Sequence, residues 1–274
     1  MARARGARRL SVSRHVRVRT VALPIEHGAW GFWLEPALLG LVLAPTPAGV
    51  ALAGAALAAL LLQTPLSIAL TDARRGRRYP RTALAWRWAA GYGLALIAAA
   101  GAALWWAPSL WFLLPIAVAA PLALAQLWYD AYGRSREAIP ETLGALAMGS
   151  LAAAIVLAAG WPLVPAFLAW LLLAARIVPS ISYVRARLRL ERGTAVRLSL
   201  VRFSHFVALG LVLLVGAATA APWWLLVAPY ALLTLRALLG VSALRRPVSA
   251  PVVGVAELGY GLVTALLVAL ALGS

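Results

Sequence analysis

Nine apolar runs, each close to the length of a bilayer-crossing helix, divide this chain: residues 25–44, 47–70, 84–106, 109–129, 139–160, 162–182, 201–220, 222–241 and 251–272. A span needs about 20 mainly apolar residues, because the hydrocarbon core is about 30 Å thick and a helix rises about 1.5 Å per residue. In that solvent every backbone N–H and C=O must be satisfied within the protein, so such runs are helical. The sequence therefore predicts an all-α fold, a polytopic membrane helical bundle of nine transmembrane helices. It divides into a basic N-terminal tail over residues 1–22 and a transmembrane helical domain over 23–274. Composition agrees, since only 12% of the 274 residues are charged, about half the share of a soluble domain.

The connections between the runs carry the orientation. All 25 basic residues are arginine. Seven lie between Arg3 and Arg19, six from Arg74 to Arg87, two at Arg134 and Arg136, six from Arg185 to Arg202, and two at Arg245 and Arg246. Arg176 and Arg236 sit near the ends of runs six and eight, whereas the alternate connections near Thr46, Pro108, Trp161 and Ala221 have no basic residue. By the positive-inside rule the tail and the arginine-bearing loops are cytoplasmic, and an odd number of spans puts Ser274 outside. The formal net charge of +17 is explained by orientation and by anionic headgroups. No basic fold module is visible, so membrane lipid and not nucleic acid is the expected partner. The sequence has no cysteine, which excludes disulfides, thiolate metal sites and cysteine nucleophiles. Arg8-Arg9 imitates a twin-arginine signal, but the first run carries Glu35 and no small-residue cleavage site follows it.

Polar side chains inside or beside the runs mark candidate sites. Thr71 to Thr82 packs Arg74, Arg75, Arg77, Arg78 and Arg81 around one carboxylate, Asp72, at a membrane surface. Arginine there can meet phosphate oxygens with a bidentate fork. Gln63, Ser67 and Thr71 recur every four residues and lead into this stretch. In the first run His27, Gly31 and Glu35 share a helical stripe, and Pro36 follows. A carboxylate so deep in a membrane helix is a functional candidate with a buried partner, or else half of a structural pair with Arg176 or Gln63. Glu26, His27 and Asp72 are the acid or base candidates; for Glu26 and His27 the alternative is capping of the helix start.

Further along, Tyr129, Asp130, Arg134 and Glu141 can line a cytoplasmic mouth, although Pro140 and Glu141 also suit the first turn of the fifth span. Arg176, Ser180 and Tyr183 fall near one face of the sixth span, and Arg185 and Arg189 follow on a helical extension ending at Gly193. His205 reads first as a packing residue; His27 would be its membrane partner in a bis-histidine haem site. Glu257 and Tyr260 belong to the cytoplasmic third of the last span. The ionisable residues inside the spans thus lie in the cytoplasmic half or near the midplane, which points to a cavity open to the cytoplasm and not to a channel.

The residues Leu23-Pro24, Glu26-His27-Gly28-Ala29-Trp30-Gly31, Glu35-Pro36, Asp72 with Arg74-Arg75, Arg77-Arg78-Tyr79-Pro80-Arg81-Thr82, Pro140-Glu141 and Leu143-Gly144 resemble the YwiC-like family of bacterial membrane proteins. The resemblance implies a bacterial inner (plasma) membrane protein. The nine-span layout, with polar cytoplasmic loops after spans two and six, also resembles the UbiA superfamily of intramembrane prenyltransferases at the level of fold, implying a UbiA-like bundle. The first UbiA motif, aligned on Arg81-Thr82, puts Ile68 and Ala69 at its Asn-Asp pair, Asp72 at its second acid and Gly76 at its third. The second motif falls on Arg185, Arg189 and Gly193, with arginine at both acid positions. Those acids hold Mg²⁺ against a diphosphate in the superfamily, so no metal or other cofactor is expected here.

The reading is a basic, cytoplasm-facing cavity for an anionic or isoprenoid, lipid-like ligand. Glu35, Gln63, Arg74, Arg78, Arg81, Tyr129, Arg134, Arg176, Tyr183, Arg185, Arg189 and Glu257 are the candidate ligand contacts. Two alternatives stay open: a UbiA-type prenyltransferase acting on a phosphorylated lipid, and a non-catalytic component that binds quinone or haem or supports assembly of a respiratory complex.

Overall fold

The computed structural model describes residues 18–24, 27–77, 79–134 and 137–274, with the side chains of residues 27–29 left aside. Its regular structure is helical. A short helix α1 (Val18–Ala22) precedes α2 (His27–Leu43), α3 (Pro47–Arg74), α4 (Pro80–Trp106), α5 (Leu113–Ala131), α6 (Ala138–Ala158), α7 (Leu163–Glu191), α8 (Leu198–Ala218), α9 (Trp223–Gly240) and α10 (Ala250–Gly273). Each apolar run of the sequence corresponds to one of α2 to α10. Among the described residues, eight of these helices are long and apolar enough to cross a membrane. The exception is α2, whose 17 residues rise only about 25 Å.

Helix α6 lies at the centre of the bundle, against α2, α3, α5 and α7. From Gly149 to Ala158 nearly every residue is buried, Ala152 through Val156 completely. A helix apolar all round and enclosed all round is an interior helix. Small residues allow the approach: a Cβ on Gly40 of α2 or on Gly49 of α3 would fall 2.8 Å from Ile155, so both helices close onto the same side chain. On one side α3 pairs extensively with α4; on the other α10 returns between α2, α7 and α9, and α8 packs on α7 and α9.

The ends of the bundle differ in chemistry. Trp105, Trp106, Trp111, Trp223 and Trp224 are exposed at the arginine-free connections, as expected of residues at a membrane–water boundary. At the opposite end the 29-residue α7 is about 43 Å long, carries Arg185, Arg187 and Arg189, and stops where Gly193 takes φ +70°. This is the helical extension that the sequence predicts.

The arginine-rich stretch is less of a loop than its sequence suggests. Thr71–Arg74 completes α3, Pro80–Thr82 begins α4, and the intervening turn has Gly76 at φ +61°. Asp72 closes this hairpin. Its carboxylate accepts from Thr82 Oγ1 at 2.7 Å and from Arg81 Nη2 at 3.1 Å, while Thr82 Oγ1 accepts from the Tyr79 N–H at 3.0 Å. Thr82 thereby caps the second helix, and Asp72, which holds Thr82 and Arg81, ties it to the first.

Candidate functional site

Charge inside the membrane is concentrated where α2, α7, α9 and α10 meet. Glu35 of α2 pairs with Arg176 of α7 at 3.0 Å, their side chains only 2% and 4% exposed. The same Arg176 nitrogen donates to the Glu257 carbonyl of α10 at 2.7 Å. Gly261, one turn beyond Glu257, makes this geometry feasible, because the Glu35 carboxylate occupies the space a Cβ there would need. Of the two partners the sequence offered for Glu35, Arg176 is the one found. Gln63 instead donates to Asp130 at 3.0 Å and ties α3 to α5.

A second pair adjoins the first. Arg236 of α9 forms an ion pair with Glu257, and its guanidinium lies 4.0 Å from the Tyr183 ring centroid and 5.2 Å from that of Tyr260. Tyr183 comes this close because Gly240 has no side chain: its hydroxyl sits where a Cβ would be. Two acids and two arginines make the group neutral by formal count, as burial in a low-dielectric medium requires.

The second pair, with Tyr183 and Tyr260, lines a cleft of about 490 Å³ between α7, α9 and α10. Its apolar wall includes Leu232, Leu235 and Leu239, all about half exposed toward the surroundings. One end of the cleft is the turn before α10, where Arg245 and Arg246 line the opening. That turn is held by Arg187, which is itself buried, donates to the carbonyls of Gly240 and Arg246, and pairs with Glu191 at 2.9 Å. The result is an amphipathic groove, with Arg236 between two tyrosines, Arg245 and Arg246 at the turn, and aliphatic side chains of α9 and α10 along the walls. Such a shape suits a molecule with an anionic head and an apolar tail.

The remaining predicted residues are dispersed. Glu26 and Arg78 lie outside the described residues, as does the side chain of His27. Asp72 and Arg81 serve the α3–α4 hairpin, and Arg74 is exposed beside them. Arg134 lies 5.0 Å from the Tyr129 ring centroid and pairs with Glu137 at 2.6 Å, a hydrogen bond that holds the Glu137 carboxyl below its ordinary range. Arg185 reaches Glu141 of α6 at 2.6 Å, while Arg189 is exposed. His205 directs Nδ1 to the carbonyl of Val201 at 2.8 Å, a bond within its own helix. The hairpin arginines therefore belong to the α3–α4 end of the bundle, and the cleft to the α7–α9–α10 end.

Of the predicted contacts, Tyr183, Arg176, Glu35 and Glu257 come together at or just behind the cleft. Arg187, Arg236, Arg245, Arg246 and Tyr260 complete it without having been singled out as ligand contacts. The available signals were local: Tyr183 and Arg187 are one helical turn apart, as are Glu257 and Tyr260. Nothing local, however, announces that α7 faces α9 and α10.

No curated protein and no solved structure matches the chain. Residues 23–156 match the model of the YwiC-like protein family. That region covers Glu35 and the α3–α4 hairpin and ends inside α6, so the cleft is built by the part of the chain that follows it. Carrying Glu35-Pro36, the Asp72 hairpin and Pro140-Glu141, the segment from Leu23 to Val156 belongs to the YwiC-like family.

Proposed function

We propose that this multi-pass membrane protein binds an anionic, lipid-like molecule from the cytoplasmic side, in the cleft of α7, α9 and α10. The observation that carries this reading is the cleft itself, where the largely enclosed Arg236, flanked by two tyrosines, stands among the half-exposed leucines that wall the groove. In the same proposal nine helices span a bacterial inner membrane, with the N-terminus in the cytoplasm and Ser274 outside, an orientation supported by the arginine-bearing end and the tryptophan-bearing end of the bundle. The hydrogen bonds that occupy Asp72 weigh against a UbiA-type prenyl transfer that would use this acid for a metal.

Native mass spectrometry of gently solubilised protein tests the reading. An anionic amphiphile should remain bound after mild activation, and joint Arg245→Gln and Arg246→Gln substitution at the mouth should lower its occupancy. Retention of only zwitterionic lipids, equally in both proteins, would refute it.

A further inference from the structure

The Arg236–Glu257 pair is unusual in how little of its hydrogen-bonding capacity it uses. The Arg236 side chain is 10% exposed and meets Glu257 through Nη1 and Oε1 alone, so that most of its five N–H groups and Glu257 Oε2 are left over from the pair. Tyr183 and Tyr260 flank the guanidinium and steady its plane. A planar cation with unused donors, in a groove whose opening is lined by Arg245 and Arg246, is well matched to a phosphate, which offers several acceptor oxygens in the spacing of the guanidinium fork. A single carboxylate arriving from α10 meets fewer of those donors.

We propose that Arg236 is the seat for the phosphate of a membrane amphiphile, and that Glu257 is an internal counter-ion which this phosphate displaces. The inference rests on the cleft reading above and assigns its polar part. Charge at the site permits the exchange. Arg187 is matched by Glu191 and Arg236 by Glu257, while no carboxylate among the described residues pairs with Arg245 or Arg246. The groove thus carries excess positive charge, and the released Glu257 carboxylate has those arginines within the same cleft. The acyl or prenyl chain follows Leu235 and Leu232, which run from Arg236 toward the start of α9, while Leu239 lies on the other side of Arg236. Glu257 in this arrangement sets the affinity: it keeps the buried arginine neutralised and must be outcompeted.

The test uses the full chain in nanodiscs of zwitterionic lipid, with a fluorescent phosphatidylglycerol as the probe. A phosphatidylcholine of identical tails, whose phosphate is offset by its quaternary ammonium, serves as the net-neutral comparison, and glycerol phosphate as the headgroup without a tail. The phosphatidylglycerol should bind at least tenfold more tightly than the phosphatidylcholine, whose choline cation meets Arg245 and Arg246, and glycerol phosphate should compete only weakly. Glu257→Gln should raise affinity about tenfold, a gain that misfolded protein cannot produce, and Arg236→Gln should lower it at least tenfold. Leu235→Trp, at an exposed position that fills the groove, should abolish binding. If Leu235→Trp abolishes binding but Glu257→Gln leaves it unchanged or weaker, the seat is wrong and the cleft reading stands. If Leu235→Trp has no effect, the cleft reading itself fails. Glycerol phosphate competing as strongly as the lipid would overturn the amphiphile in favour of a free phosphate ester.

Discussion

Glu35 Oε1 lies 3.0 Å from Arg176 Nη2, and the two side chains are almost fully enclosed by α2, α7 and α10. Taking either charge away leaves the other unpaired in a low-dielectric interior, a loss of about 3–5 kcal/mol, whereas removing both relieves that penalty. Glu35→Gln and Arg176→Gln should each lower the thermal midpoint in detergent, and the double variant should recover part of the loss. Strictly additive losses would show that the pair is not coupled.

Gly261 should tolerate no side chain. A Cβ there collides with the Glu35 carboxylate and crowds Arg176 Nη2, and overpacking of this kind costs about 1–3 kcal/mol. Gly261→Ala should therefore destabilise the protein in a melting assay. Gly259→Ala on the same helix, where a Cβ meets nothing within 4 Å, should be neutral or slightly stabilising. Equal melting of the two variants would contradict the packing described.

Asp72 should contribute to stability. Because its bonds from Thr82 and Arg81 close the α3–α4 hairpin, Asp72→Asn should cost about 1.5–3 kcal/mol, the range for hydrogen bonds to a charged group. Probe binding at the α9–α10 cleft should be unchanged. Thr82→Val should destabilise in the same direction, and a loss of lipid binding in Asp72→Asn at full stability would return this acid to the functional site.

Orientation is testable because the sequence has no cysteine to give background. A single cysteine in place of exposed Thr194, beyond the end of α7, should be protected from an impermeant thiol reagent in intact cells and react after permeabilisation. One in place of Ser274 should react in intact cells. Reversal of the two patterns would invert the bundle.

The sequence by itself determined the helical character, the order of the membrane segments and the sidedness of charge. These depend on runs of apolar residues and on arginine counts between them, properties a bilayer reads segment by segment. It also marked Glu35, Arg176 and Glu257 as residues needing partners, since an ionisable group in hydrocarbon carries that requirement wherever it occurs. Only the tertiary structure decided that Asp72 would be taken up by Arg81 and Thr82, and that a cleft would form among α7, α9 and α10. The reason is physical. Arginines at a helix end look alike in sequence whether they face water, a carboxylate or a groove. The choice for Arg236 depends on Gly240 letting Tyr183 approach it and on α10 returning to place Glu257 and Tyr260 beside it, contacts between residues far apart along the chain.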